Sequence, residues 1–393
     1  MTRLLIVSNG HGEDTIGARL AVRLRSLRPA LEISAFPLVG LGQRYQAEGV
    51  RVDGPRRHLP AEGLTMHHPR LLWRDVRAGV VGLTIRQMAW LRRARPDAVL
   101  VVGDAFAQAL AGLVPAPRRV LQPLVSVHHG IGAPRPPLAR TFMERIRAPE
   151  RFLMRRADRV YTRDAPTADH LRRLGVAQAT YLGNPMMDDL VARPLDVPGA
   201  GPVVALLPGS RAYARHSVDI MLSALTRLGR VRGLVAWALD AVPQPTHGWR
   251  LDEPARPPFA SAVWRAGETS VTWTSGRFAE VLASADAAIG TAGTANEQAA
   301  GLGIPVVAFA VPPAYGEAFV ANQARLLGGA LAVVAAEPGR IADAVRSALS
   351  DDDHRAAART IGPERMGGPG GSDAIAADVA AWLASGPLAD SPA

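Results

Sequence analysis

Two doubly wound α/β domains are what this sequence predicts, and three observations carry the prediction. The chain has 393 residues, too many for one ordinary core and natural for two. Short all-apolar runs, of the kind buried in parallel sheets covered on both faces, alternate with helical segments along both halves. Each half also places a turn of small and polar residues between a strand and the helix that follows it. Two such units, Rossmann-like and facing a cleft, would bind ligands at the carboxyl ends of their strands.

In order, residues 4–7 form the first buried strand, followed by Ser8-Asn9-Gly10-His11-Gly12-Glu13-Asp14. Ile16, Ala18, Leu20, Ala21 and Leu24 then mark a helix. Further strands are expected at residues 31–36, 98–102 and 120–124. Residues 194–202, rich in Pro, Gly and Ala, read as a linker. Strands at 203–207, 233–239, 271–273, 287–290 and 305–310 build the second unit, with 243–258 as a proline-rich loop. Ser372 or Asp373 is expected to cap a last alanine-rich helix over 374–383, and the final residues read as disordered. The expected division is 1–190, 191–372 and a C-terminal helix and tail over 373–393.

All 45 basic residues are arginine. A Schiff-base lysine and a P-loop lysine are therefore excluded. Zero cysteines exclude disulfides, thiolate metal sites and cysteine nucleophiles. Through Leu190 there are 29 arginines against 16 acids, a balance of +13, which leaves −3 for the remainder of the formal +10. The first half thus suits an anionic surface. Residues 70–95 and 135–163 mix aromatic and aliphatic groups with arginine, a pattern that fits lipid headgroups. Taken singly, each stretch reads better as an ordinary helix with arginines on its wet face; two together on the basic half bring peripheral membrane contact level with that reading. Nucleic acid is not expected, since no recognised module is visible. No apolar run has the length of a membrane span, and the N-terminal apolar segment is too short for a signal peptide. Cytoplasmic residence is the default, with peripheral contact on the inner face of the membrane.

The chemistry concentrates in two turns of the second half. Pro208-Gly209-Ser210-Arg211 follows a strand and precedes a helix, so backbone N–H groups, a hydroxyl and a guanidinium can meet phosphate oxygens. Gly290-Thr291-Ala292-Gly293-Thr294-Ala295-Asn296-Glu297-Gln298 repeats the arrangement. Its small residues let a ligand approach the backbone, and Glu297 or Gln298 can hydrogen-bond a ribose. One such turn alone is usually strand-to-helix punctuation. Two in one domain favour a diphosphate site.

These residues carry a resemblance. Leu206-Leu207-Pro208-Gly209-Ser210-Arg211 resembles the signature of lipid-A-disaccharide synthase, an inverting transferase of the GT-B type. Gly293-Thr294-Ala295, with the strand after Pro305, resembles that family's donor-binding segment. Gly183-Asn184-Pro185-Met186-Met187-Asp188 resembles its interdomain motif, with Asn184 where histidine is usual. Val102-Gly103-Asp104-Ala105 resembles the loop bearing its essential aspartate. Counting back from Pro305, the ribose-binding glutamate falls on Gln298. The second aspartate expected soon after Asp104 is absent, Ala107 standing near there, and the N-terminal loop is not the synthase's usual one. The divergent group of lipid-A-disaccharide synthase-related proteins is the closer fit.

The resemblance implies the GT-B arrangement, a UDP-sugar donor, a lipid-linked acceptor, and neither metal nor cofactor. Inverting transfer needs a base beside the acceptor hydroxyl and N–H or positive groups at the leaving diphosphate. Asp104 is the first candidate base, with the bland alternative of a helix N-cap; His11, Glu13 and Asp14 are the others. His128 and His129 can line the acceptor side. Two other classes share the architecture: a sugar-nucleotide 2-epimerase, and a non-catalytic nucleotide-sugar or lipid-binding protein.

Overall fold

The computed structural model describes residues 2–58, 76–129, 146, 148–210, 213–246, 248–253, 256–312 and 315–386. Residues 70–75 and 135–145 of the two arginine-rich segments, together with Arg147, Arg211 and the tail 387–393, lie outside the described residues. The chain divides into two units, Met1–Met186 with Gly370–Ala393, and Met187–Pro369.

In the first unit the chain runs through β1 (Arg3–Ser8), α1 (His11–Leu27), β2 (Glu32–Pro37), α2 (Gln43–Ala47), β3 (Arg51–Val52), α3 (Val80–Arg93) and β4 (Ala98–Val102). It continues through α4 (Ala105–Ala111), β5 (Arg118–Gln122), α5 (Ala148–Met154), β6 (Arg159–Thr162), α6 (Ala165–Arg173) and β7 (Ala179–Thr180). The sheet order is β3-β2-β1-β4-β5-β6-β7, and every pairing is parallel. Alternation along β1 sorts its side chains onto two layers. Leu4 and Ile6 join α1 residues Leu20, Ala21 and Leu24, while Leu5 and Val7 join Leu91, Leu110 and Met154 on the opposite face. Sealing each such side chain from water contributes about 1.5–3 kcal/mol, so a run apolar on both faces has no stable place but the middle of the sheet.

In the second unit come β8 (Val203–Leu207), α7 (Ala214–Leu228), β9 (Arg232–Trp237), β10 (Arg250–Leu251), β11 (Ala262–Ala266), β12 (Thr269–Ser275), α8 (Phe278–Ala283) and β13 (Ala287–Gly290). They are followed by α9 (Gly293–Gly301), β14 (Val306–Phe309), α10 (Glu317–Leu327), β15 (Leu331–Val334), α11 (Pro338–Ser350) and α12 (Asp352–Met366). The order is β10-β11-β12-β9-β8-β13-β14-β15. β11 runs antiparallel to β10 and β12, a departure from the wholly parallel pattern. Trp264 and Trp273, with ring centroids 4.5 Å apart, and Trp237, 5.2 Å from Trp273, weld this extension to the parallel core. The segment expected as loop over 243–258 therefore contains a two-residue edge strand, too short to leave a periodicity signal.

The last helix, α13 (Gly371–Ser385), belongs to the first unit. Neither Ser372 nor Asp373 caps it. Gly370 holds the N-cap position without a side-chain bond, Ser372 is buried, and Asp373 instead pairs with Arg23 of α1 at 2.7 Å. Further along, Asp378 accepts from Arg119, Arg159 and Tyr161 of the sheet. Among the described residues no helix is long and apolar enough to cross a membrane.

Candidate functional site

Each sheet has one point where neighbouring strands send the chain in opposite directions, and such a point opens a crevice at the strand ends. In the first unit it lies between β1, which leads to β2, and β4, which leads to β5. Two side chains meet across it. Asn9, just beyond β1, donates from Nδ2 to Asp104 Oδ1 at 2.7 Å. The same oxygen accepts the backbone N–H groups of Phe106 (2.9 Å) and Ala107 (3.3 Å), so Asp104 caps α4. Three donors thus fix Oδ1, and among the described residues Oδ2 has none. The close approach needs glycine at 103: its φ is +154°, and a Cβ there would stand 2.0 Å from Asn9 Oδ1.

Around this pair the crevice is rich in buried acids. Asp14 Oδ1 accepts from Ser8 Oγ at 2.6 Å, and Tyr45 in turn donates to that hydroxyl at 2.9 Å. Burial pushes Asp14 up to about 7 against the opposing Ser8 bond. Burial likewise pushes Glu13 up to about 7; its own backbone N–H opposes, and the charges of Asp104 and Asp14 add. Despite this density, the described residues contain no group of three or more acids or histidines placed to hold a metal ion.

A stability prediction follows from Asp14. Its folded value stands above the ordinary aspartate value of 3.8, so between the two the native chain holds a proton that the unfolded chain has released. The contribution is complete below the unfolded value and is lost as pH rises through about 7. Asp14→Asn keeps an acceptor for Ser8 but cannot ionise. Between pH 5 and 8 the wild type should lose on the order of 2 kcal/mol relative to this variant. Calorimetry of both proteins across that range checks it, and parallel curves would refute it.

In the second unit the corresponding point lies between β8 and β13, which are parallel neighbours with Leu207 opposite Gly290. The strand order therefore brings the two small-residue turns side by side. Thr291 N donates to Leu207 O at 3.1 Å, and Thr291 Oγ1 donates to Pro208 O at 3.3 Å. Tyr213, in the turn before α7, donates its hydroxyl to Thr291 O at 3.2 Å. Gly209 has φ +90°, and a Cβ there would come 3.3 Å from the Tyr213 hydroxyl and 3.7 Å from Ala292 Cβ. Behind the second turn sits Asn296, fully buried. Its Nδ2 reaches Gly290 O (3.3 Å), Tyr315 Oη (3.0 Å) and Gln323 Oε1 (3.0 Å), while Gln323 Nε2 donates to Gly293 O at 2.7 Å. The turn is thus held rigid from behind while α9 begins at Gly293 in front. A preset backbone turn at a helix start offers N–H groups and positive potential to an anion.

Asp104 and Glu13 share one crevice. His11 opens α1 and is exposed, with Cε1 3.2 Å from where a Gly40 side chain would begin; among the described residues it makes no bond to Asp104. Gly209 lies against Ala292, the residue before Gly293, and Ser210 and Thr294 are exposed; Arg211 is outside the described residues. Glu297 and Gln298 are half-buried on α9; burial first, then Tyr213 and the charge of Glu297, raise the pKa of the Tyr315 hydroxyl. Asn184 is buried in the first unit, its Oδ1 accepting Met186 N at 3.1 Å. His129 is buried after β5, its Nδ1 accepting Ser126 N at 3.1 Å. Sequence reasoning missed the parts played by Asn9, Tyr213, Tyr315, Gln323 and Glu150. Two of them left a trace in the sequence: Asn9 stands in the polar loop after the first strand, and Glu150 is an acid beside an apolar helical run.

No protein-family model matches the chain. It is 30% identical over 217 residues to the lipid-A-disaccharide synthase of Burkholderia mallei, covering 49% of this chain and 52% of that one. It spans about half the length of that relative. Against the lipid-A-disaccharide synthase of Thiobacillus denitrificans it is 27% identical over 386 residues, 94% of this chain and 87% of the other. Among solved structures, a calicheamicin glycosyltransferase matches with a TM-score of 0.59 and 15% identity over the whole of both chains. The UDP-GlcNAc 2-epimerase of Neisseria meningitidis, bound to UDP-GlcNAc, matches with a TM-score of 0.53 and 13% identity, covering 98% of this chain and all of that one. Identities this low speak for the fold alone.

Proposed function

We propose, from the premise that this chain is a distant relative of lipid-A-disaccharide synthase with a GT-B fold, that it is an inverting glycosyltransferase. It moves a sugar from a UDP-sugar to a lipid-linked acceptor. One observation carries the reading: the turns after β8 and β13 stand side by side at the switch point of the second sheet, the second of them braced by Asn296. Gly209, Ser210, Gly293, Thr294 and Ala295 line the donor diphosphate, joined by Arg211. Glu297 and Gln298 hold the ribose, Gln298 through its neutral amide.

In this reading Asp104 is the base. Its Oδ2 takes the proton of the acceptor hydroxyl while that oxygen attacks the anomeric carbon and the bond to diphosphate breaks on the opposite face. The departing negative charge spreads onto the N–H groups of the two turns. Acceptor delivery at a cytoplasmic membrane face is supported by α3, where Leu83, Gln87 and Leu91 are buried while Val81, Ile85, Arg86, Arg92 and Arg93 face outward. Phe152 on α5 is 50% exposed under the Arg156 guanidinium.

A second reading, a sugar-nucleotide 2-epimerase, is favoured by the buried acids beside Asp104, because epimerisation moves protons at carbon and needs several acid–base groups. Incubation with a UDP-sugar panel, with and without lipid extract, separates the readings. Donor turnover only with lipid is the expected result. An epimeric UDP-sugar formed without acceptor would replace the transferase by the epimerase, and binding without turnover would leave a carrier.

A further inference from the structure

Three buried side chains from three elements connect the exit of β4 to α5. Glu150, 3% exposed, accepts at Oε1 from Gln122 Nε2 of β5 (2.7 Å) and from Gln108 Nε2 of α4 (3.3 Å). The orientation of Gln122 is set, since its Oε1 accepts Leu124 N at 3.1 Å. Gln108 Nε2 also reaches Gly103 O at 3.4 Å, the carbonyl immediately before Asp104. On α5 itself, Arg151 donates to Ile146 O; of the β5 arginines, Arg119 pairs with Asp378 and Arg118 interacts with Arg156 and Asp158, so Gln122 is the β5 side chain that bonds Glu150. The charge that acts on Glu150 is that of Asp104. A carboxylate in this setting would lie buried with two neutral amides and a negative neighbour. Among the described residues no cation pairs with it, and an acid in so apolar a setting keeps its proton.

We propose that Glu150 is a positioning residue for Asp104, a buried carboxylic acid that retains its proton, leaves the negative charge of the crevice on Asp104, and braces the Gly103–Asp104 turn through Gln108. Burial first, then the Asp104 charge, push Glu150 up to about 7 against the two amide bonds, so above that pH a second negative charge stands in the crevice with Asp104. The catalytic consequence rests on Asp104 being the base of the proposed transfer; the protonation itself does not.

Carbon-13 NMR of glutamate carboxyls in the full chain tests the protonation directly. A resonance with its midpoint near 7 should vanish in Glu150→Gln and move to lower pH in Asp104→Asn, with Glu13→Gln assigning the other high-titrating glutamate. A Glu150 midpoint in the ordinary glutamate range, or one indifferent to Asp104→Asn, overturns the proposal. The second arm is donor turnover with lipid extract across the same pH range. Glu150→Gln should match the wild type below neutrality and lack its decline above, whereas Glu150→Ala should lose roughly 10–100-fold throughout. The same alkaline decline in Glu150→Gln refutes the positioning role. Absence of turnover in the wild type removes the transferase reading, while the NMR result still decides Glu150.

Discussion

Asp104→Asn should lower transfer by between about a hundredfold and ten-thousandfold while leaving UDP affinity nearly unchanged. The contrast comes from the division of labour between the two carboxylate oxygens. Oδ1 accepts from Asn9, Phe106 N and Ala107 N, and an asparagine oxygen can accept all three. The cap on α4 and the junction with β1 therefore survive, with a stability change of about 1 kcal/mol or less. The amide at the other position cannot take a proton from a hydroxyl. Steady-state kinetics with the turned-over UDP-sugar, calorimetric titration with UDP and a melting curve together check the result. Normal turnover in this variant would remove Asp104 from the mechanism and turn attention to His11 and Glu13.

Asn296→Leu should weaken UDP binding roughly tenfold or more and lower stability by about 2–4 kcal/mol. Leucine keeps the branching of asparagine but is bulkier, so some crowding adds to the main loss, the bonding of the asparagine amide. Its amide group braces Gly290 O, Tyr315 and Gln323, all at a fully buried position where an abandoned polar group finds no water. With that brace gone, the turn from Thr291 to Gly293 loses the fixed direction of its N–H groups, and a preset anion site becomes one that must be ordered on binding. Gln323→Leu, which withdraws the bond to Gly293 O, should act in the same direction. Folded variants with an unchanged UDP dissociation constant would count against the β13 turn as a phosphate site.

Much of this architecture is legible in the sequence because it is local. The apolar runs of β1, β4, β8 and β13 are short and lie between recognisable turns, so their burial on both faces could be read directly. The two small-residue turns announced themselves in the same way. Asp104 reads in the sequence as both cap and candidate base; the structure has Oδ1 capping α4, and the proposed base chemistry uses Oδ2. Edge elements were less visible. β10 has two residues, and no periodicity emerges from so short a strand. The cap expected from Ser372 or Asp373 failed for a different reason: Asp373 is engaged by Arg23, an arginine some 350 residues earlier in the chain, and no local rule contains that partner.

The sequence by itself determined the class of the fold and singled out the two turns proposed as the diphosphate site and the aspartate proposed as the base. Each depends on hydrophobic period, glycine placement or capping chemistry, which act over a few neighbouring residues. Only the tertiary structure decided which of these features meet. Strand order sets Asn9 against Asp104 across 95 positions of chain and lays Thr291 against Pro208. The same folding encloses Glu150 between Gln108 and Gln122 and returns α13 to the first sheet through Asp378. Burial and electrostatic neighbourhood are properties of residues that fold together, not of residues that follow one another, so the proton on a buried glutamate could be inferred only once its surroundings were in place.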